Sequence, residues 1–496
     1  MKKYLLVIII LSFVKLIIHF VANPNYGFHR DELLHLSVSE HLAWGYMEFP
    51  PFIAVVGKLA HFMFGYTPSG VRIFATLAGI GILVLCCLIA KELGGKRNAI
   101  LLAGVSVLAF IPFFRNHTHF QPVAFDQFFW TLGFYYFVRY LNSKSNKYLI
   151  FLGITAGIGL MNKYTVVVWG FGIVIGLLFH EKGSSFKNKW LYISGLLALL
   201  IVLPNIIWQY THNFPLLAHL EELKKSQLDE IGPYDFALEQ LELPFTLLVS
   251  LIGVTATFLD KELKKYSCLA IAVLVMFFTM WFLQSKAYYF FAAYPVLFAL
   301  GAVKIEKLFQ KKPVWNYAVI VVLLLPAFFF LPMAAPVLPI EKFVSYAKLE
   351  PEKDGRIILT DDYADMFGWE EQVKLVDSIY QSLPKDEKEQ CVILAENYGE
   401  AGAVKIVGDK YKLPDPTCAH GSFWTWGPGD KEGKVFISLG NEEEVVYSLF
   451  EEHTLIKTIK HKYAIDEENN IPVFLCRKPK KDIRKMWPEL EKYIFE

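Results

Sequence analysis

Apolar runs recur through the first two thirds of the chain, at 4–22, 52–90, 99–114, 123–141, 148–162, 164–180, 190–209, 244–259, 267–284, 288–303 and 315–333. A helix needs roughly 20 apolar residues to cross about 30 Å of hydrocarbon, so each run reads as a membrane span. The second is too long for one crossing, and the turn at 65–70 assigns residues 52–64 partly to the membrane interface ahead of the true span. Eleven spans result. Beyond 340 the pattern changes to short apolar strands, RIILT (356–360), CVILA (391–395), KVFISL (434–439) and VFLC (473–476), alternating with helical stretches near 365–382, 398–405, 442–449 and 480–492. Such alternation predicts an open α/β layer with a largely parallel sheet. The chain thus reads as a polytopic α-helical membrane domain over 1–333 and a soluble α/β domain over 340–496.

Composition sharpens this. Of 496 residues 54% are hydrophobic and 20% charged, and the mean hydropathy of +0.36 excludes a soluble globular or a disordered protein. The net charge of +1 gives no sign of a nucleic-acid partner. Placement of charge is more informative. The connections 91–97, 142–147, 181–189, 260–265 and 304–312 hold 15 Lys or Arg, which assigns them, with Lys2–Lys3, to the cytoplasm. With an odd number of spans, the 23–51, 115–122 and 210–243 loops and the soluble domain then lie on the outer face of the membrane. Residues 1–22 lack a convincing cleavage site and read as a retained signal anchor. Cys391, Cys418 and Cys476 fall in the outer domain, where an oxidising compartment permits one disulfide; Cys391–Cys418 is the pairing expected.

Ionisable residues on the outer face need their own explanation. The first outer loop carries Arg30, Asp31 and Glu32, then Glu48 before Pro50–Pro51. Residues 31–44 can form an interfacial amphipathic helix with Leu34, Val38 and Leu42 on one stripe, Asp31 and His35 on another. Asp126 is the only formal charge between Arg115 and Arg139, and an acid at the rim of an apolar span faces a cavity or a partner. Lys163 and Lys286 are outer-edge cations flanked by Tyr164 and by Tyr288–Tyr289, suited to an anionic head group. Acids and cations on one face fit transfer from a lipid phosphate: the leaving phosphate needs electrostatic stabilisation, the acceptor hydroxyl a carboxylate base.

HRDELLHL, GYMEFPP, the FD of the fourth span, NKY and KAYYFFAAYP together resemble the GT-C membrane glycosyltransferases of the protein O-mannosyltransferase and aminoarabinose transferase type. The resemblance covers most of 1–333. It implies a polyprenyl-phosphate sugar donor, transfer on the outer face with inversion, and a protein or lipid glycan as acceptor. By residue it implies Asp31 as base with Glu32 beside it, Asp126 positioning the reacting groups, and Tyr46, Glu48, His29 and Arg30 on the substrate. Lys286, with Tyr288, matches the cation that contacts the lipid phosphate. Aminoarabinose transferases carry Lys directly before the Pro pair, whereas this chain has Phe49, which shifts phosphate recognition toward Lys286, Lys163 or Arg115. ADMFGWEE, ENYGEAGA and HGSFWTWGPG also resemble the tail of bacterial family-39-like members.

Two other readings stay open. Paired acids and edge lysines also suit a transporter or flippase for an anionic lipid. His29, Asp31, His35, His117 and His119 offer N/O ligands to a divalent metal, although no cofactor is expected. The topology has a direct check: a reporter fused after residue 340 is expected to behave as exported, and one at 145 or 263 as cytoplasmic. An exported signal at 263 would overturn the span count and separate Asp31 from Asp126.

Overall fold

The computed structural model describes residues 2–229, 231–431 and 433–492, the side chains of Lys2 and Lys3 lying outside the description. Each expected span is met by a helix. By length and composition, seven helices of the described residues can cross a membrane, and two bent pairs raise the number to nine. The pairs are Arg97–Ala109 with Pro112–Thr118, bent by 69°, and Asp235–Glu242 with Pro244–Leu259, bent by 106°. Proline opens the second helix of each pair, where its missing N–H cannot donate back into the first helix. The other two of the expected eleven are the helices Pro122–Ser143 and Lys147–Leu160. The first carries Asp126, Gln127 and Arg139, which lower its hydropathy. The second, at 14 residues, spans about 21 Å at 1.5 Å per residue, short of a full crossing.

Ala287–Leu308 lies mostly buried at the centre, whereas Tyr4–Ala22 and Val314–Ala334 are peripheral and turn Leu5, Ile9, Phe13, Leu325 and Phe328 outward. The five basic connections meet at one end. Asn142 Nδ2 donates to the Glu92 carbonyl at 2.8 Å, Lys144 pairs with Glu181 at 2.8 Å, Lys304 with Asp260 at 2.9 Å, and Glu306 accepts the Lys96 N–H at 2.7 Å.

The opposite end carries the C-terminal domain. Its five strands are β1 (Cys391–Ala395), β2 (Pro416–Cys418), β3 (Val435–Leu439), β4 (Phe450–Ile459) and β5 (Ile471–Pro479), in the order β2-β1-β3-β5-β4. The sheet is mixed rather than largely parallel: β2, β1 and β3 run parallel, while β5 and β4 join antiparallel. Two expected elements change. Residues 356–360 form no strand, and Ile357 and Leu359 instead fill a satellite cluster with Phe343 and Tyr363. The final helix shrinks to Ile483–Met486 and a turn at Trp487–Glu489, since Pro488 interrupts it. The Cys391–Cys418 disulfide is also overturned, both thiols being free and buried. Cys418 pairs with Ala395 at the far end of β1 from Cys391; four residues of strand separate the two by about 13 Å, beyond the roughly 7 Å limit for a bridge.

Candidate functional site

The loop after the first span folds into the helix Arg30–Glu40, capped by His29, whose Nδ1 accepts the Asp31 N–H at 3.1 Å while Glu32 accepts the His29 N–H at 3.0 Å. The helix is no interfacial surface element. It is buried from Glu32 to Ser39, ends before Leu42, and lies beneath the C-terminal domain, which supplies the cover that an amphipathic reading assigned to lipid.

Successive helical residues project about 100° apart, so the two adjacent acids part company. Glu32 turns inward and is fully buried. It receives Arg72 Nε at 2.9 Å, Arg72 Nη2 at 2.7 Å and the Phe120 N–H at 2.8 Å. Burial opposes its ionisation, but Arg72 outweighs that and holds the carboxyl down to about 2. Arg72 also donates to the carbonyls of Asn23 (2.9 Å) and Gly27 (2.6 Å). This acid holds the loop together and leaves no oxygen for an acceptor.

Asp31 is half-buried and faces a cavity of about 380 Å³, lined among others by Glu48, Lys163, Lys286, Tyr288 and Tyr398. Gln121 Nε2 donates to its Oδ2 at 2.9 Å and the Tyr398 hydroxyl to its Oδ1 at 3.3 Å. Burial again opposes ionisation, yet the fields of His29, His35 and Arg30, with the Tyr398 bond, keep the carboxyl below its ordinary range. Glu48 accepts the Ser422 N–H at 2.7 Å and the Ser422 hydroxyl, and burial pushes its carboxyl up.

The cations differ in availability. Lys286 Nζ donates to Gln227 Oε1 at 2.5 Å, and Lys163 Nζ sits 4.1 Å from the Tyr289 ring centroid and 5.4 Å from that of Tyr288. Among the described residues neither lies within 4.0 Å of a carboxylate. Arg115 instead forms a two-pronged pair with Asp362 of the C-terminal domain. It lines a second, apolar groove of about 620 Å³ with Ile111, Phe245, Leu323 and Phe330, and Tyr288 walls both spaces.

Five expected site residues therefore converge on the polar cavity: Asp31, Glu48, Lys163, Lys286 and Tyr288. Asp126 stands behind it, accepting the hydroxyl of the cavity residue Thr165 at 2.8 Å, within the field of Lys163. Tyr46 spends its hydroxyl on the Val38 and His41 carbonyls. His29 and Arg30 meet the C-terminal domain rather than the cavity: His29 Nε2 lies 3.3 Å from Asp365, Arg30 Nε 3.1 Å from Asp365 and Arg30 Nη2 3.7 Å from Glu468. No three His, Cys, Asp or Glu of the described residues converge as a metal site. His35 is engaged by the Phe120 carbonyl at 3.0 Å, and His117 by Gln127 at 3.0 Å. Sequence reasoning did not find Gln121, Ser422 or Tyr398. Tyr398 and Ser422 lie in NYGEAGA and GSFWTWGPGD, rich in turn residues, but nothing local says what those segments dock against.

Residues 48–208 match the dolichyl-phosphate-mannose-protein mannosyltransferase family. ArnT from Cupriavidus metallidurans, solved in the apo state and bound to undecaprenyl phosphate, superposes with a TM-score of 0.62 at 12% identity, covering 94% of this chain and 97% of that one. The oligosaccharyltransferase of Archaeoglobus fulgidus, solved with Zn and sulfate, gives a TM-score of 0.52 at 12% identity over 83% of this chain and 62% of that one. An uncharacterized protein of Aquifex aeolicus is 27% identical over 250 residues, 48% of this chain and about half the length of that relative, at 49%. The fold is that of the GT-C membrane glycosyltransferases, as the motifs of the first loop imply.

The inner acid and the cavity acid separate experimentally. Arg72→Met strands the buried Glu32 carboxylate and is expected to destabilise the detergent-solubilised protein by about 3–5 kcal/mol. Arg72→Met with Glu32→Leu should recover much of that loss in a thermal-unfolding series. Equal melting of the wild type and the single variant would remove the pair from its structural role.

Proposed function

We propose that the chain transfers a sugar from a polyprenyl-phosphate donor to an acceptor hydroxyl on the outer face of a bacterial inner membrane, inverting the anomeric carbon. The observation that carries this reading is the pair of spaces meeting at Tyr288: an apolar groove of about 620 Å³ beside a cavity lined by Asp31, Glu48 and two lysines that have no carboxylate partner among the described residues. A polyprenyl chain suits the first, the phosphate their junction, and the sugar the second. The bound undecaprenyl phosphate of the ArnT neighbour supports the donor class, and the matched family supports a glycosyl transfer.

In the proposed step Asp31 takes the proton of the acceptor hydroxyl as its oxygen attacks the anomeric carbon. The bond from that carbon to the phosphate oxygen breaks, and its electron pair leaves on the lipid phosphate. Lys286 and Lys163 stabilise the growing phosphate charge. Glu48, held by Ser422 and raised by burial, is suited to binding sugar hydroxyls. The acceptor is a protein hydroxyl or a lipid glycan. The transporter reading finds less support, because the cavity charges gather at the helix ends opposite the basic loops rather than midway along the spans.

The decisive experiment compares, by mass spectrometry, envelope glycans and polyprenyl-phosphate sugars in strains carrying the wild-type chain, none, or a variant as sole copy. Loss of the chain should deplete one glycan and accumulate its lipid-linked sugar; an unchanged profile would overturn the reading. Asp31→Asn keeps shape but removes basicity and should slow transfer by on the order of 10²–10⁴, with donor binding retained.

The lysines predict a second contrast. Lys286→Ala should weaken donor use far more than Lys286→Arg, since a phosphate held by charge tolerates another cation of similar reach. Equal loss in both would assign Lys286 a steric role.

A further inference from the structure

Resting on the reading of Asp31 as base, we infer that Tyr398 of the outer domain is a positioning residue for the transfer, holding the Asp31 carboxylate toward the cavity by a hydrogen bond that crosses between the two domains. The hydroxyl donates to Asp31 Oδ1 at 3.3 Å while Gln121 Nε2 donates to Oδ2 at 2.9 Å. One donor on each oxygen stops rotation of the carboxylate, so its remaining lone pairs keep one direction. Tyr398 also lines the cavity in which the acceptor oxygen must sit. The outer domain thereby completes the reaction chamber.

The NYGEAGA segment is built for this placement. Asn397 caps the helix Tyr398–Ile406, accepting the N–H groups of Gly399 at 2.8 Å and Glu400 at 3.0 Å, which fixes where Tyr398 begins the helix. Gly399 and Gly402, three residues apart, lie on the face toward the first-loop helix. A Cβ at Gly399 would stand 2.7 Å from Arg30 Cγ, and one at Gly402 2.7 Å from Leu33 Cβ. Only that close approach brings the Tyr398 hydroxyl within reach of Asp31. A bond spanning 367 residues of sequence then depends on two glycines and a cap.

Asp31 feels His29, Arg30 and His35 from its own helix and its cap. Across the cavity it acts on Arg115 and Tyr288, and within the outer domain on Tyr398 and Asp365. Tyr398→Phe changes none of the other charges and removes only the hydroxyl. A carboxylate that loses a donor gains basicity, so its protonation midpoint moves to higher pH.

The test reads protonation of Asp31 without knowledge of the substrate. The purified full-length chain is labelled with dicyclohexylcarbodiimide, which reacts with protonated carboxyls, across a pH series, and adduct on Asp31 is measured by peptide mass spectrometry. Tyr398→Phe should move the midpoint up by about one pH unit, and 3-fluorotyrosine at 398, a stronger donor of nearly the same shape, should move it down. In cells, Tyr398→Phe as sole copy should cut the glycan product by about tenfold. Unmoved midpoints in both variants, or a tenfold glycan loss with an unmoved midpoint, would overturn the positioning role. Moved midpoints together with a wild-type glycan profile in Asp31→Asn would show instead that the reading of Asp31 as base has failed, and the positioning role with it.

Discussion

The end of this molecule that carries the C-terminal domain is organised around a buried ion pair, Arg72 with Glu32, both shielded from solvent. Bringing two charges out of water costs several kcal/mol per ion, so such a pair persists only where its remaining donors and lone pairs are satisfied. Here they are. The guanidinium also binds the carbonyls of Asn23, Asn25 and Gly27, and the carboxylate takes the N–H groups of His29 and Phe120. One pair therefore joins the end of the first span, the first loop, the helix Pro68–Glu92 and the 115–122 loop. With Glu32 committed inward, helix geometry leaves Asp31 to the side, where the cavity lies.

The C-terminal domain sits on this framework through charge rather than an apolar seam alone. His29 and Arg30 reach Asp365, Arg115 grips Asp362, and Ser422 closes on Glu48. Burial would raise Asp362, but Arg115 reverses that and holds its carboxyl down to about 2, so the pair stays charged. Residues that resemblance assigned to substrate binding thus hold the lid of the site. Where such a cover displaces water, the local dielectric falls and the charges within interact more strongly.

How much of this was legible follows from the range of each interaction. Hydropathy is local, and each of the eleven apolar runs meets a helix, even where Pro112 and Pro244 bend one. Edge chemistry is nearly local too, so an acid and two lysines beside tyrosines could be singled out. The two first-loop acids could not be told apart, because the residue that distinguishes them, Arg72, stands 40 positions on. In the C-terminal domain, FEEHTLIKTI forms the edge strand β4 with most of its side chains exposed, which hides it from an apolar pattern. RIILT shows the converse error, an apolar run that packs as loop beneath Tyr363. Tyr398 and Ser422 are invisible for a third reason: their partners belong to another domain.

The charge in the cavity also suits a change in the donor rather than the donor itself. A sugar linked through a phosphodiester carries one negative charge, and cleavage of the bond to the anomeric carbon leaves a phosphomonoester that carries up to two. Among the described residues Lys286 is engaged by a Gln amide and Lys163 by tyrosine rings, with no carboxylate in reach, so in the proposed reaction both can follow that increase without first breaking an ion pair. In the proposed reaction their attraction grows as the bond stretches, which would favour the transition state over the bound donor. Asp126 fits the same arrangement. Set behind Thr165 and within the field of Lys163, it can hold that ammonium on the cavity wall without standing in the path of the phosphate. Asp31 faces the cavity while Asp126 does not, so the proposed base and the counter-charge occupy separate positions, and neither carboxylate need serve as both.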